Sequence, residues 1–254
     1  MRRHWQKKPL LVRQAIPRFK PLLSRMELFR LAAQEQVESR LVVQQPAGWR
    51  MKQGPFGPRS LPALSRPQWT LLVQGVDLHE RRAHELLQQF RFVPNARLDD
   101  LMISFATPGG GVGPHFDSFL LQASGRRRWK IGRQEDLTLQ QGVPLKILQN
   151  FKPEQEFVLE AGDMLYLPPR YAHDGLAELC LDADGKPVDC MTYSIGFRAP
   201  KRAELAGELL QRLSDFCEDR EAEGSPDLYR DPAQAATQTP AALPEGLLQF
   251  AQKA

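Results

Sequence analysis

Between residues 97 and 199 the sequence is built from short apolar runs separated by turn signals. They are Leu101–Phe105, Phe116–Gln122, Trp129–Gly132, Phe157–Glu160, Met164–Leu167 and Met191–Phe197. Each is too short for a helix that buries a face, and their regular return predicts an antiparallel sandwich or barrel. Flanking segments read differently. Ser24-Arg-Met-Glu27 is a capping box, and Leu28, Leu31 and Ala32 behind it predict a helix of about ten residues. Residues 40–44 are strand-like, residues 54–67 form a Gly/Pro-rich loop, and Trp69–Val76 reads as a buried strand. His79–Phe90 carries Ala83, Leu86, Leu87 and Phe90 at helical spacing. After Pro200 a helix is predicted with Leu205, Leu209, Leu210, Leu213 and Phe216 on one face. A Pro/Ala/Gln-rich linker over 227–244 and a helical pattern over 245–253 follow. The fold class is mainly β with helices.

Composition excludes several classes. The chain has 254 residues, 42% hydrophobic and 25% charged, which is ordinary for a globular protein and rules out collagenous or wholly disordered chains. No apolar run approaches the roughly 18 residues of a membrane span, so no membrane role is expected. Cys180, Cys190 and Cys217 include no CxxC pair, which argues against zinc clusters and a disulfide framework and fits a reducing compartment, the cytoplasm. Charge is uneven: residues 1–25 hold eight Lys/Arg and no acid, whereas residues 201–254 hold 6 basic and 10 acidic residues. A basic end is a solvated face, an RNA-facing surface or a targeting segment. Trp5 and the run from Pro9 to Val12 look like the start of a packed strand, against targeting.

The constellation that carries chemistry is His115-Phe-Asp117, with His173 further along. On a strand, residues i and i+2 share a face, so His115 and Asp117 project together. Two imidazoles and one carboxylate on one side of a metal form the facial triad of non-haem Fe(II) oxygenases. HxD alone is weak, with roughly 0.6 chance matches expected in a chain like this. Context strengthens it: Gly109-Gly-Gly-Val-Gly-Pro114 precedes His115 and allows close approach of a ligand. Downstream, Gly162-Asp163 makes a turn, and Pro168-Pro169 stops the strand Met164–Leu167 and presents His173 from a loop. His4, His79 and His84 read as surface or cap histidines. Trp129 and the tyrosines read as core. Cys180 and Cys190 flank a polar turn over 182–186 in a hairpin, where a bridge would be sterically conceivable.

The wider text resembles the cupin/JmjC double-stranded β-helix of 2-oxoglutarate oxygenases, and in particular the bacterial ribosomal oxygenases. The matching blocks are His4-Trp-Gln-Lys-Lys-Pro9, Asp99-Asp-Leu-Met-Ile-Ser-Phe105, Pro108-Gly-Gly-Gly-Val-Gly-Pro-His-Phe-Asp117, Gly125-Arg-Arg-Arg-Trp129, Gly162-Asp-Met-Leu-Tyr-Leu-Pro-Pro169 and Tyr193-Ser-Ile-Gly-Phe-Arg-Ala-Pro200. Together they cover residues 3–215. The resemblance implies Fe(II) ligation by His115, Asp117 and His173, and a basic anchor for the far carboxylate of 2-oxoglutarate at Arg127. A planar guanidinium suits that carboxylate. Strand alternation lets Arg127 point inward between an outward Arg126 and Arg128, unless all three form a solvated edge. Ser104 and Ser194 are further barrel-facing candidates for cofactor contacts, or satisfied core hydroxyls.

The resemblance further implies an N-terminal α/β part over 1–96, a double-stranded β-helix core over 97–199 and a helical dimerisation region over 200–254 that stops short of the family's winged-helix-like module. The implied activity is hydroxylation of C3 of an arginine in a 50S ribosomal protein by a cytoplasmic homodimer, with no direct nucleic-acid substrate. Alternatives are a histidine hydroxylase, a JmjC demethylase, a metal cupin working without 2-oxoglutarate, or a non-catalytic ribosome-binding cupin. One departure stands out: the family carries a short insert between the positions of Ser118 and Phe119 that this sequence lacks.

Overall fold

The computed structural model describes residues 3–46, 48–57, 59–116, 119–198, 201–223, 228–233 and 243–252. Asp117, Ser118 and Pro200 therefore lie outside the described residues. The chain divides into two compact units, residues 1–198 and 199–254.

The first unit is a two-sheet sandwich in which every ladder is antiparallel. Its strands are β1 (Leu10–Val12), β2 (Ser39–Gln45), β3 (Gly48–Gln53), β4 (Trp69–Val73), β5 (Leu98–Ala106), β6 (His115–Phe116), β7 (Phe119–Ser124), β8 (Arg126–Arg133), β9 (Gln155–Leu159), β10 (Met164–Tyr166), β11 (Tyr171–Glu178) and β12 (Cys190–Phe197). The larger sheet has the order β1-β10-β7-β12-β5-β4-β2-β3, and the smaller β6-β11-β8-β9. From β5 onward the chain crosses repeatedly between the sheets, which winds it into a double-stranded β-helix. Gly125 makes the tight link from β7 to β8: its φ is +64°, and a Cβ there would press on the backbone of Asp189 and Cys190.

The larger sheet is covered on its outer face by α1 (Arg25–Ala32) and α2 (Arg81–Gln88). The capping box sets the start of α1, with Ser24 accepting from the Glu27 N–H and Glu27 accepting from the Ser24 N–H. Leu28 and Ala32 of α1, and Ala83, Leu86 and Leu87 of α2, bury against Leu71, Val73, Ile103 and Phe105. Phe105 meets Phe29 edge-on at 5.2 Å and Trp69 at 5.3 Å. All five residues of β4 are buried because helices cover one face and the smaller sheet the other. The N-terminal run predicted from Trp5 onward is strand only over Leu10–Val12, laid along β10. Asp163, in the turn before β10, accepts from the backbone of Gln14 and Glu160 and pairs with Arg13.

Two expectations are corrected, and the open question of a Cys180–Cys190 bridge is answered. The run Phe116–Gln122 is not one strand, because β6 belongs to the smaller sheet and β7 to the larger. The apolar pattern continues across the change because both sheets face one interior. His173 does not sit in a loop: β11 begins two residues earlier, although Gly175 and the lack of β-branched residues hid it as a strand. Cys180 and Cys190 are free thiols, and the Cys190 S–H donates to the Arg126 carbonyl. The hairpin between them closes through Asp182, whose side chain accepts from the N–H groups of Asp184 and Lys186. Strand β3 and the hairpin it forms with β2 were not foreseen.

The second unit holds α3 (Arg202–Glu223) and α4 (Glu245–Ala251). The predicted stripe of α3 is present, and within this chain it stays exposed, from 50% at Leu213 to 67% at Leu210. Among the described residues no helix is long and apolar enough to cross a membrane.

Candidate metal and co-substrate site

Between the sheets lies a cavity lined from the larger one by Thr70, Leu72, Met102, Ser104, Leu120 and Ser194. The smaller sheet and the glycine-rich segment add Gly111, Val112, His115, Arg127, Trp129, His173 and Gly175. Strand alternation selects these side chains: Arg127 and Trp129 share the inward face of β8, and His173 and Gly175 that of β11.

His115 and His173 are register partners in the β6–β11 ladder, and their ring centroids are 4.3 Å apart. His115 Nδ1 donates to the Gly113 carbonyl at 2.7 Å, which leaves Nε2 with its lone pair free for another partner. His173 is fully buried, and among the described residues neither ring nitrogen has a hydrogen-bond partner. Burial lowers the His115 pKa, reinforced by the charges of Arg127 and Arg40 and opposed by the bond to Gly113. Burial, then the neighbouring His115 and Arg127, hold His173 well below the ordinary histidine range. Both imidazoles are thus neutral at pH 7, the state in which they ligate metals.

The three arginines of the Gly125–Trp129 block divide as alternation requires. Arg128 pairs outside with Glu156 and Glu178, and Arg126 with Glu178. Arg127 is only 4% exposed and makes no ion pair with a carboxylate among the described residues, the charge of Asp174 being felt only at longer range. Its Nη1 donates to Ser104 Oγ at 3.0 Å, and Ser104 Oγ donates to the Thr192 carbonyl at 3.2 Å. Arg127 Nε and Nη2 have no hydrogen-bond partner among the described residues. Ser194 lines the same cavity, on β12 opposite Met102 of β5. Of the predicted residues, His115, His173, Arg127, Ser104 and Ser194 therefore meet around one space; Asp117 lies outside the described residues.

Eight buried side-chain nitrogen or oxygen atoms among the described residues lack a hydrogen-bond partner, and five belong to Arg127, Trp129 and His173 of this cavity. A buried unsatisfied polar group costs about 1–3 kcal/mol, so concentrating them in one place marks a site completed by a ligand. The donor set suits an anion beside a metal. Two neutral imidazoles provide nitrogen lone pairs, and an unpaired guanidinium provides N–H groups for a carboxylate. Among the described residues no third His, Cys, Asp or Glu joins the histidine pair.

Two contributors escaped the sequence reading. Trp129 read as plain core, and Gly175 was passed over. The usable signals were spacing ones: Trp129 two residues from Arg127, and a lone glycine inside a strand two residues from His173.

The fold and cavity define a JmjC-type double-stranded β-helix, and residues 85–205 match the family model described as "JmjC domain". Within that class, the chain is similar to bacterial ribosomal oxygenases. It is 39% identical to the ribosomal protein uL16 3-hydroxylase of Escherichia coli strain K12, over 91% of this chain and 59% of that protein. It is 33% identical to a probable ribosomal oxygenase of Haemophilus influenzae, over 81% of this chain and 50% of the relative. A solved structure of the E. coli ribosomal oxygenase YcfD with cobalt and 2-oxoglutarate superposes with a TM-score of 0.71 at 36% identity, over 99% of this chain and 63% of that one. The chain thus spans between half and two thirds of the length of these relatives.

Proposed function

We propose that this chain is an Fe(II)- and 2-oxoglutarate-dependent protein hydroxylase acting on an arginine of a large-subunit ribosomal protein. The observation that carries the reading is the set of donors left unpartnered among the described residues in one cavity, with Arg127 buried and in no ion pair with any of those residues. His115 and His173, with Asp117, would hold Fe(II), and Arg127 would receive the far carboxylate of 2-oxoglutarate through Nε and Nη2. Once bound, Fe(II) and 2-oxoglutarate supply the oxidising chemistry, in which O₂ is consumed and 2-oxoglutarate is decarboxylated to succinate.

The chain's own residues bind, orient and exclude water. The Ser104 hydroxyl holds Arg127 Nη1 and so turns the rest of the guanidinium toward the cavity. Gly113 fixes the tautomer of His115. Leu72, Met102, Val112 and Leu120 give the cavity apolar walls, which strengthens every electrostatic contact inside it.

A cationic substrate side chain is supported by Asp100, two residues before Met102 on β5. Its carboxylate is half-buried and accepts from Gln74 Nε2 and the Gly75 N–H through one oxygen. Burial, with Asp99 and Asp77 nearby, raises its pKa against those hydrogen bonds. An approaching guanidinium would relieve that unfavourable negative charge.

The uL16 named for the E. coli relative is the first substrate to try, in a cytoplasmic setting where its three thiols remain reduced. The exposed leucine stripe of α3 fits a second copy of this chain, since a stripe of this kind is normally covered. No membrane partner and no nucleic-acid substrate enter the reading.

The test is incubation with Fe(II), 2-oxoglutarate, O₂ and peptides of the ribosomal protein, followed by mass and succinate measurement. A gain of about 16 Da on arginine with matching succinate is the expected result. Oxidation on histidine instead would move the substrate assignment. Neither product from folded, iron-loaded protein would overturn the enzyme reading.

A further inference from the structure

Trp129 stands between the two ends of the site. Its ring lies edge-on to His173, with centroids 5.1 Å apart at 66°, and the Arg127 guanidinium carbon stands over it at 5.5 Å. In the β8–β11 ladder it faces Gly175. A Cβ on Gly175 would collide with Cζ3, Cε3 and Cη2 of the indole from above the ring, so the glycine provides the space in which the face of the six-membered ring lies against β11. Nε1, in the plane of that ring, is buried without a hydrogen-bond partner among the described residues, in a residue that lines the cavity.

A buried indole N–H normally finds an acceptor. Core packing alone would be served by a phenylalanine, with no unsatisfied donor and the same edge contact to His173. The neighbouring unpartnered donors, Arg127 Nε and Nη2, match a single carboxylate, which leaves this N–H for a further oxygen lone pair of the same ligand.

We propose that Trp129 is a co-substrate-binding residue whose indole N–H donates to an oxygen of the bound 2-oxo acid, while its ring orients Arg127 and His173. Gly175 is the residue that makes this placement of the ring feasible. The inference rests on the co-substrate reading given above. The cation–π contact and the edge contact fix the guanidinium plane and the imidazole in advance of binding. The indole N–H adds a hydrogen bond to a charged acceptor in a buried setting.

The test uses the full chain loaded with Zn(II) and labelled with nitrogen-15 in its tryptophans. The four tryptophans give four indole N–H signals, and Trp129→Phe identifies the relevant one by its disappearance. Adding 2-oxoglutarate is expected to move that signal downfield. In a second protein, benzothienylalanine replaces Trp129 and removes only the N–H. Calorimetry should show affinity for 2-oxoglutarate reduced about tenfold, with Zn(II) affinity nearly unchanged. A stationary signal in wild type that binds 2-oxoglutarate, or equal affinity in the benzothienyl protein, overturns the proposal. Failure of the wild type to bind 2-oxoglutarate at all overturns the reading beneath it, and is distinguished by that result alone.

Discussion

His115 and His173 face each other as register partners across two antiparallel strands; His115 Nδ1 bonds to the Gly113 carbonyl, and neither ring nitrogen of His173 has a hydrogen-bond partner among the described residues. That pairing is what a metal centre needs from a sheet: two lone pairs brought together by backbone hydrogen bonds rather than by flexible loops. Zn(II) or Mn(II) should therefore raise the melting temperature of the metal-free protein, by about 2.7 kcal/mol of stabilisation at one hundred times the dissociation constant. His173→Ala should abolish the rise while leaving the far-ultraviolet spectrum intact. A rise of equal size in that variant would remove the histidine pair from the metal site.

Arg127 makes a sharper test, because its role in stability and its role in binding have opposite signs. Among the described residues the buried guanidinium has one side-chain hydrogen-bond partner, Ser104, and no ion pair with a carboxylate. Replacing it by methionine removes a buried charge and keeps most of the volume, so stability is expected to be unchanged or raised by about 1–4 kcal/mol. Binding of 2-oxoglutarate should fall more than about a hundredfold, since a charge-assisted fork is lost. Chemical denaturation and calorimetry on the one variant separate the two effects.

Gly175→Ala is expected to destabilise by about 1–3 kcal/mol, because the added methyl must displace the Trp129 ring from a packed interior. The double variant with Trp129→Leu should recover part of the loss, and the coupling energy of the cycle measures the contact. Additive losses would mean that the ring has somewhere else to go.

The strands of this fold were legible where apolar runs alternate with turns, and so was the inward turn of Arg127, because alternation is a local rule. What escaped was non-local. His173 sits on a strand whose sequence, Tyr171-Ala-His-Asp-Gly-Leu-Ala-Glu178, has no β-branched residue and one glycine; pairing on both edges makes it a strand. That same glycine is weak locally and indispensable to the Trp129 ring across the ladder. The break between β6 and β7 escaped because a hydrophobic pattern records burial but not which sheet does the burying. The partnerless donors of the cavity could not be read from sequence at all, since a missing partner is a property of the assembled site.

Acid should first loosen the N-terminal strap. Burial raises the pKa of Asp163, but the N–H groups of Gln14 and Glu160 and the Arg13 guanidinium outweigh it and hold the carboxyl below its ordinary value. A depressed folded-state pKa gives stability that is fully present above the unfolded value of about 3.9 and is lost as pH falls through the folded value. Wild type should therefore be more stable than Asp163→Asn at pH 7, and the gap should close as pH drops below about 4. Denaturation midpoints of the two proteins between neutral and acid pH test this. A gap that stays constant would assign the difference to packing rather than charge.

Asp100 separates substrate recognition from the machinery behind it. It makes no hydrogen bond to His115, His173 or Arg127; its bonds are to Gln74 and Gly75, which fix one oxygen. Asp100→Asn keeps the shape and removes the charge, so binding of metal and 2-oxoglutarate should be unchanged. Turnover of an arginine peptide should fall about tenfold to a hundredfold at limiting peptide, because the guanidinium loses its charged partner in a half-buried setting. Succinate formed without peptide oxidation should rise relative to hydroxylated product, as the substrate is held less well. If the variant instead hydroxylates the arginine peptide at the wild-type rate, the cationic side chain is recognised elsewhere, and the outward carboxylates Glu156 and Glu178 are no substitute because Arg128 already occupies them.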